Sequence, residues 1–160
     1  MRFSRLSPLT ATRNMRIYLD TCSLNRPMDD KSQLRIALEA EAVLGILSGC
    51  ESGRMQLISS EVLAVEVDRN PHPQKRAYVV AILEFSTELI PLNDELETRA
   101  LILEKRGFKS FDALHIASAE VGLVDYFCSC DDRLVRKARQ QQDLKVKVVS
   151  PLEFAQDLIS

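Results

Sequence analysis

The chain has 160 residues, 46% hydrophobic and 28% charged, with a net charge of −2 and a pI near 5.7. That length suits one domain with a real core, and no apolar run approaches the ~20 residues that cross a bilayer. A balance this close to neutral gives no global basic field, so nucleic acid would have to be attracted by a local patch.

Residues 1–14, "MRFSRLSPLTATRN", contain three Arg and no acid. They read as an N-terminal extension, either upstream sequence or the product of a misassigned start codon. Met15 directly precedes the first β-like run, so the domain itself is expected over 15–160. A transit-like leader would need more length and an amphipathic face.

The β-like runs are Arg16–Leu19, Met55–Ile58, Leu89–Leu92, Tyr126–Cys128 and Lys145–Val149. Helical spacing fills the intervals. Ile36, Ala40, Val43, Leu44 and Leu47 share one face of a helix from Ser32 to about Cys50, which Gly49 and Gly53 close. A second helix starts near Ser60, Asn70-Pro71-His72-Pro73 breaks it, and the next carries Tyr78, Ile82 and Phe85. "NDELETRALILEKRG" aligns Leu96, Ala100 and Leu103, and "SFDALHIASAEVGL" is apolar nearly all round, as a buried helix is. Ser150-Pro151-Leu152-Glu153 supplies N-cap, first-turn proline and capping-box acid for the last helix. Strands separated by helices, without hairpin signals, predict a single α/β domain: a twisted, mainly parallel five-stranded sheet with helices on both faces.

In such a sheet the functional crevice lies at the carboxyl ends of the strands. Asp20 ends the first strand, Asp131 and Asp132 follow "YFCSC", Asp112 opens the apolar helix, and Glu61 and Glu66 lie on the helix after "LISS". Carboxylates gathered there repel unless a cation intervenes. An all-oxygen donor set suits Mg²⁺ or Mn²⁺ and metal-assisted phosphoryl chemistry. Each acid also has a plainer explanation. Asp112 can favour a helix N-terminus behind a Ser110 cap, Asp131 can be a cap, and Ser129 with Asp132 resembles a capping box. Asp20 resists that explanation, because no helix to cap is expected beside it.

The segments "IYLDTCSLNRP", "ISSEVLAVEV" and "SFDALHIASAEVGLVDYFCSCDDRL", in that order, resemble a PIN domain, particularly the VapC-like ribonuclease toxins of bacterial toxin–antitoxin pairs. The likeness spans residues 15 to 158. It implies metal-dependent RNA hydrolysis leaving 5′-phosphate and 3′-hydroxyl ends, a cytoplasmic protein, a cognate antitoxin partner and, often in the family, a homodimer. By motif, Asp20, Asp112 and Asp131 would hold the ion, with Glu66 as ligand or orienter of the attacking water. Glu61 is left as a surface residue, and Asp132 competes with Asp131. Thr21, Ser23 and Ser129 carry hydroxyls placed for phosphate, and Arg26 is a candidate contact to the RNA backbone.

Other residues stay open. His115 lies one turn after Asp112 and reads as a core histidine bonded to a neighbour, with approach to the site as the alternative. His72, between two prolines, reads as exposed. Cys22 and Cys130 flank two of the acids, either as small buried residues or as a thiol site. The absence of CxxC or spaced Cys/His sets argues for a reducing compartment. Arg133, Arg136 and Lys137 share a helix face, either solvated or RNA-attracting. A haloacid-dehalogenase-like phosphatase would need an acid where Cys22 stands, and a receiver domain fits no better. The rival from another class is a catalytically inactive PIN-like module that binds RNA or a protein partner.

Overall fold

A computed structural model describes residues 14–159. Apart from Asn14, the segment expected to be an N-terminal extension lies outside the described residues.

The central strand β1 (Met15–Leu19) buries Ile17, Tyr18 and Leu19 completely. Around it run β2 (Met55–Ser60), β3 (Glu88–Ile90), β4 (Tyr126–Cys128) and β5 (Lys147–Val149), in the order β3-β2-β1-β4-β5. Every pairing is parallel. The expected α/β architecture is the observed one, with β3 and β5 shifted or shortened by one or two residues.

Eight α-helices occur among the described residues: α1 (Thr21–Asn25), α2 (Leu34–Glu51), α3 (Glu61–Asp68), α4 (Pro73–Leu83), α5 (Asp94–Lys105), α6 (Ser110–Val121), α7 (Asp132–Arg139) and α8 (Pro151–Ile159). The β1-to-β2 crossover, carried by α2, and the β3-to-β4 return, carried by α5 and α6, run in opposite directions across the sheet. Right-handed crossovers therefore put them on opposite faces. Val43, Ile46 and Leu47 of α2 fill one layer, while Leu96, Ala100 and Leu103 of α5 and Ile116 and Ala117 of α6 fill the other. Leu44, expected on the core face of α2, is 42% exposed, because Ile46 lies on that face instead.

Two local expectations are corrected. A helix does stand beside Asp20, where none was expected: Thr21–Asn25 forms α1, and Asp20 is its N-cap. Ser110 does not cap α6, since Lys109 holds the cap position without a side-chain bond and the Ser110 hydroxyl reaches Glu104 instead. The capping box of α8 does form: the Ser150 N–H donates to Glu153 at 2.9 Å, and the Glu153 N–H donates back to the Ser150 hydroxyl at 3.1 Å.

Register sets up the site. Leu19 pairs with Cys128 and Cys128 with Val149, so β1 and β4 end side by side. From β1 the chain passes to one side of the sheet through β2 and β3, then returns to the other through β4 and β5. The carboxyl ends of β1 and β4 are thus its topological switch point.

Candidate active site

Asp20 leaves the end of β1 only 5% exposed. One carboxylate oxygen accepts the Ser23 N–H at 3.1 Å and the Cys22 thiol at 3.2 Å. Burial pushes this carboxyl above its ordinary range, against the lowering pull of the Ser129 hydroxyl, the Ser23 N–H and Cys22. Capping α1 therefore explains part of why an acid stands here. A five-residue helix needs only a neutral Ser or Asn for that, so the costlier charge points to a second task.

Asp131 caps α7, accepting the N–H groups of Arg133 at 2.9 Å and Leu134 at 3.3 Å, while its own N–H donates to the Ser129 hydroxyl at 3.0 Å. Asp132 is exposed and turned to Arg35, which grips both of its oxygens. Of the two adjacent acids, only Asp131 lines the cleft that holds Asp112.

Asp112, in the first turn of α6, records the cluster electrostatically. Its carboxyl is pushed up to about 6 by burial and the charge of Asp20, with Asp131 adding to the push and Lys109 opposing it. Asp112 thus feels both Asp20 and Asp131 near the ends of β1 and β4.

Glu66, on α3, joins them through hydrogen bonds. The Thr21 hydroxyl donates to its Oε1, and His115 Nε2 meets the same oxygen at 2.7 Å. Burial acts to raise the Glu66 carboxyl, but His115 and Thr21 outweigh it and hold the group below its usual range. Behind His115 the chain of contacts continues inward: Nδ1 lies 2.6 Å from the Tyr18 hydroxyl, and that oxygen lies 2.7 Å from Ser60 Oγ. Sequence reasoning treated Tyr18 only as part of an apolar run. Its signal was a hydroxyl set between two fully buried aliphatic residues, Ile17 and Leu19. Glu61 stays outside, accepting the Leu92 N–H at 2.6 Å.

The hydroxyls expected to meet phosphate differ in setting. Thr21 is partly exposed and bonded to Glu66. Ser23 is fully buried, donating to the Cys128 carbonyl at 3.1 Å, and Ser129 is fully buried between Asp20 and the Asp131 N–H. Both serines brace the strand ends. Arg26 is drawn inward, bonding Asp29 at 2.9 Å and approaching buried Glu39 at 3.0 Å, an ion-pair distance whose angle is too poor for a hydrogen bond. Cys22 and Cys130, separated by 108 residues, both lie against the bracing serines: Cys22 Sγ is 3.6 Å from Ser129 Oγ and Cys130 Sγ is 3.7 Å from Ser23 Oγ.

Asp112 and Asp131 open into a pocket of about 210 Å³ lined also by Gly107, Phe108, Lys109, Arg133, Leu134 and Lys137. Gly107 has φ +100°, a left-handed conformation that glycine adopts without strain as it ends α5. Arg26, Arg35, Arg99 and Arg106 are tied up in salt bridges. Lys109, Arg133 and Lys137 make none with another described residue. Lys109 and Phe108 were not singled out from sequence. A larger groove of about 570 Å³, lined by Val67, Val80, Leu83 and Leu89 among others, lies away from this acid cluster. The carboxylates, not the volume, mark the chemistry.

Among the described residues, no three His, Cys, Asp or Glu side chains already stand at metal-ligand spacing. The donors nevertheless suit a hard divalent cation. Asp112 is raised by burial and then by its acidic neighbours, a charge conflict that a bound cation would relieve, and carboxylate oxygens are what Mg²⁺ and Mn²⁺ prefer.

Fold and site together define an α/β domain with an acidic cleft at the switch point of a parallel sheet. The chain belongs to the PIN domain family, whose model matches residues 17–140. Among solved structures, it is similar to a chain in the crystal structure of VapBC2 from Rickettsia felis bound to a DNA fragment from their promoter. That match has a TM-score of 0.57 at 13% identity and covers 85% of this chain and 100% of the other. No curated protein matches the sequence. No helix among the described residues is long and apolar enough to cross a membrane.

Proposed function

We propose that this chain is a Mg²⁺- or Mn²⁺-dependent endoribonuclease that acts as the toxin of a toxin–antitoxin pair. The observation that carries the reading is the cleft that Asp112 and Asp131 line together beyond the end of β4, next to the end of β1 where Asp20 stands. Family membership supports it, since PIN domains are typically metal-dependent nucleases. Likeness to a VapBC2 chain supports an antitoxin partner.

In this reading Asp20, Asp112 and Asp131 hold the divalent ion. When bound, the ion neutralises charge developing on the phosphodiester and promotes ionisation of water beside it. Glu66, with Oε1 engaged by Thr21 and His115, offers Oε2 to orient the attacking water in line with the leaving 3′ oxygen. Lys109, Arg133 and Lys137 draw the RNA backbone toward the carboxylates, supplying the local positive field that the whole molecule lacks. The products are 5′-phosphate and 3′-hydroxyl ends.

Incubating the protein with total RNA and Mg²⁺ or Mn²⁺, then sequencing the new ends, tests this directly. EDTA should abolish cleavage. Asp20→Asn should slow it by about two orders of magnitude or more, several kcal/mol of transition-state stabilisation. RNA that is bound but not cut under every condition would make the chain a binding module instead.

A further inference from the structure

His115 is 1% exposed, and both of its ring nitrogens are engaged. The direction of its hydrogen bonds follows from the groups around it. At one end, the Leu63 N–H donates to Ser60 Oγ at 3.0 Å, so the Ser60 hydroxyl proton is free to point at the Tyr18 oxygen, 2.7 Å away. The Tyr18 hydroxyl, accepting from Ser60, gives its own proton to His115 Nδ1. A neutral ring that accepts at Nδ1 carries its proton on Nε2 and donates to Glu66 Oε1. Every donor then points the same way, from the N-cap of α3 to the carboxylate, and such chains strengthen their members.

The packing leaves the ring little freedom. Tyr18 stacks on Phe127 with centroids 5.3 Å apart and meets His115 edge-on at 5.7 Å. The Phe111 ring lies nearby, tilted, with its centroid 6.2 Å from that of His115. The Thr21 hydroxyl also donates to Glu66 Oε1. An exposed Glu samples several rotamers, whereas this one is clamped on one oxygen.

We propose that His115 is a positioning residue, held as the Nε2–H tautomer by Tyr18 and Ser60, which fixes Glu66 so that Oε2 faces the reaction. The proposal rests on the nuclease reading of Glu66 given above. Its role is orientation: His115 touches neither substrate nor reacting atoms.

Three variants and one spectrum test it. His115→Phe keeps the ring volume but removes the donor, and kcat for RNA cleavage should fall about 10- to 100-fold, as when a ligand's supporting hydrogen bond is lost, with KM within about twofold. His115→Gln can still donate to Glu66 and should recover most of that loss. Tyr18→Phe should fall between them. Equal losses in His115→Phe and His115→Gln, tracking their thermal stability, would overturn the proposal, and so would wild-type rates in both. The chain has only two histidines, so side-chain ¹H–¹⁵N correlation spectra of the wild type resolve the tautomer whether or not RNA is cut. A neutral Nε2–H ring with a slowly exchanging proton is the expected result. An Nδ1–H ring, or rapid exchange, overturns the arrangement by itself. An RNA assay that fails while the spectrum shows the Nε2–H ring removes the nuclease reading but leaves the clamp on Glu66 intact.

Discussion

Asp112 is the residue whose titration reports most directly on the site. Its folded pKa of about 6 lies above the ordinary Asp value of 3.8. The metal-free native state therefore holds this proton more tightly than the unfolded chain does. The sign follows: the group's contribution favours folding below about pH 4 and is lost as pH rises through 6. A bound divalent cation reverses the preference, because it requires the ionised carboxylate. Urea unfolding of the metal-free protein should thus show stability falling between pH 4 and pH 6.5, a fall reduced in Asp112→Asn, while Mn²⁺ affinity should weaken as pH drops below 6. A pH-independent Mn²⁺ affinity across that range would contradict the assignment. At this scale the sequence showed which acids to consider but not their partners. Spacing could not separate Asp131 from Asp132, because the difference lies in Arg35, 97 residues away. Nor could it show that Asp20 caps a helix, since "TCSLN" is too short to display a helical period.

Among the elements, the long helices were legible because burial imposes periodicity. Leu96, Ala100 and Leu103 are all within 1% of fully buried, and "DALHIASA" buries Ala113, His115, Ile116, Ala117, Ser118 and Ala119. His115 was correctly read as a core residue bonded to a neighbour, but that this neighbour is Glu66 depends on how α3 meets α6. Helix α7 was seen as a basic stripe whose meaning stayed open. The structure sorts its cations by surroundings: Arg139 pairs with Glu153, whereas Arg133 and Lys137 line the pocket with Asp112 and Asp131. Replacing either Arg133 or Lys137 by Gln should weaken RNA binding several-fold across sequences and lower the salt dependence of log K by about one phosphate contact. Fluorescence anisotropy with a labelled oligonucleotide in EDTA measures both without needing cleavage. Unchanged affinity and salt slope in both variants would return the stripe to a solvated surface.

On the scale of the whole molecule, a chain of net charge −2 concentrates both signs of charge at one place. The parallel order β3-β2-β1-β4-β5 makes this possible, since it brings residues 20, 112 and 131 to one edge although they lie far apart in sequence. Fold class was readable because alternating strands and helices leave few chain paths. The clamp through Tyr18 and Ser60 was not, because it joins two strands and two helices through side-chain hydroxyls that no local pattern marks. The central claim is that Asp20, Asp112 and Asp131 share one cation, and calorimetric titration of Mn²⁺ into the wild type, Asp131→Asn and Asp132→Asn tests it most directly. Saturable binding by the wild type, weakened about tenfold or more in Asp131→Asn and unchanged in Asp132→Asn, is the predicted result. Absence of saturable binding, or equal weakening in the two variants, would contradict it.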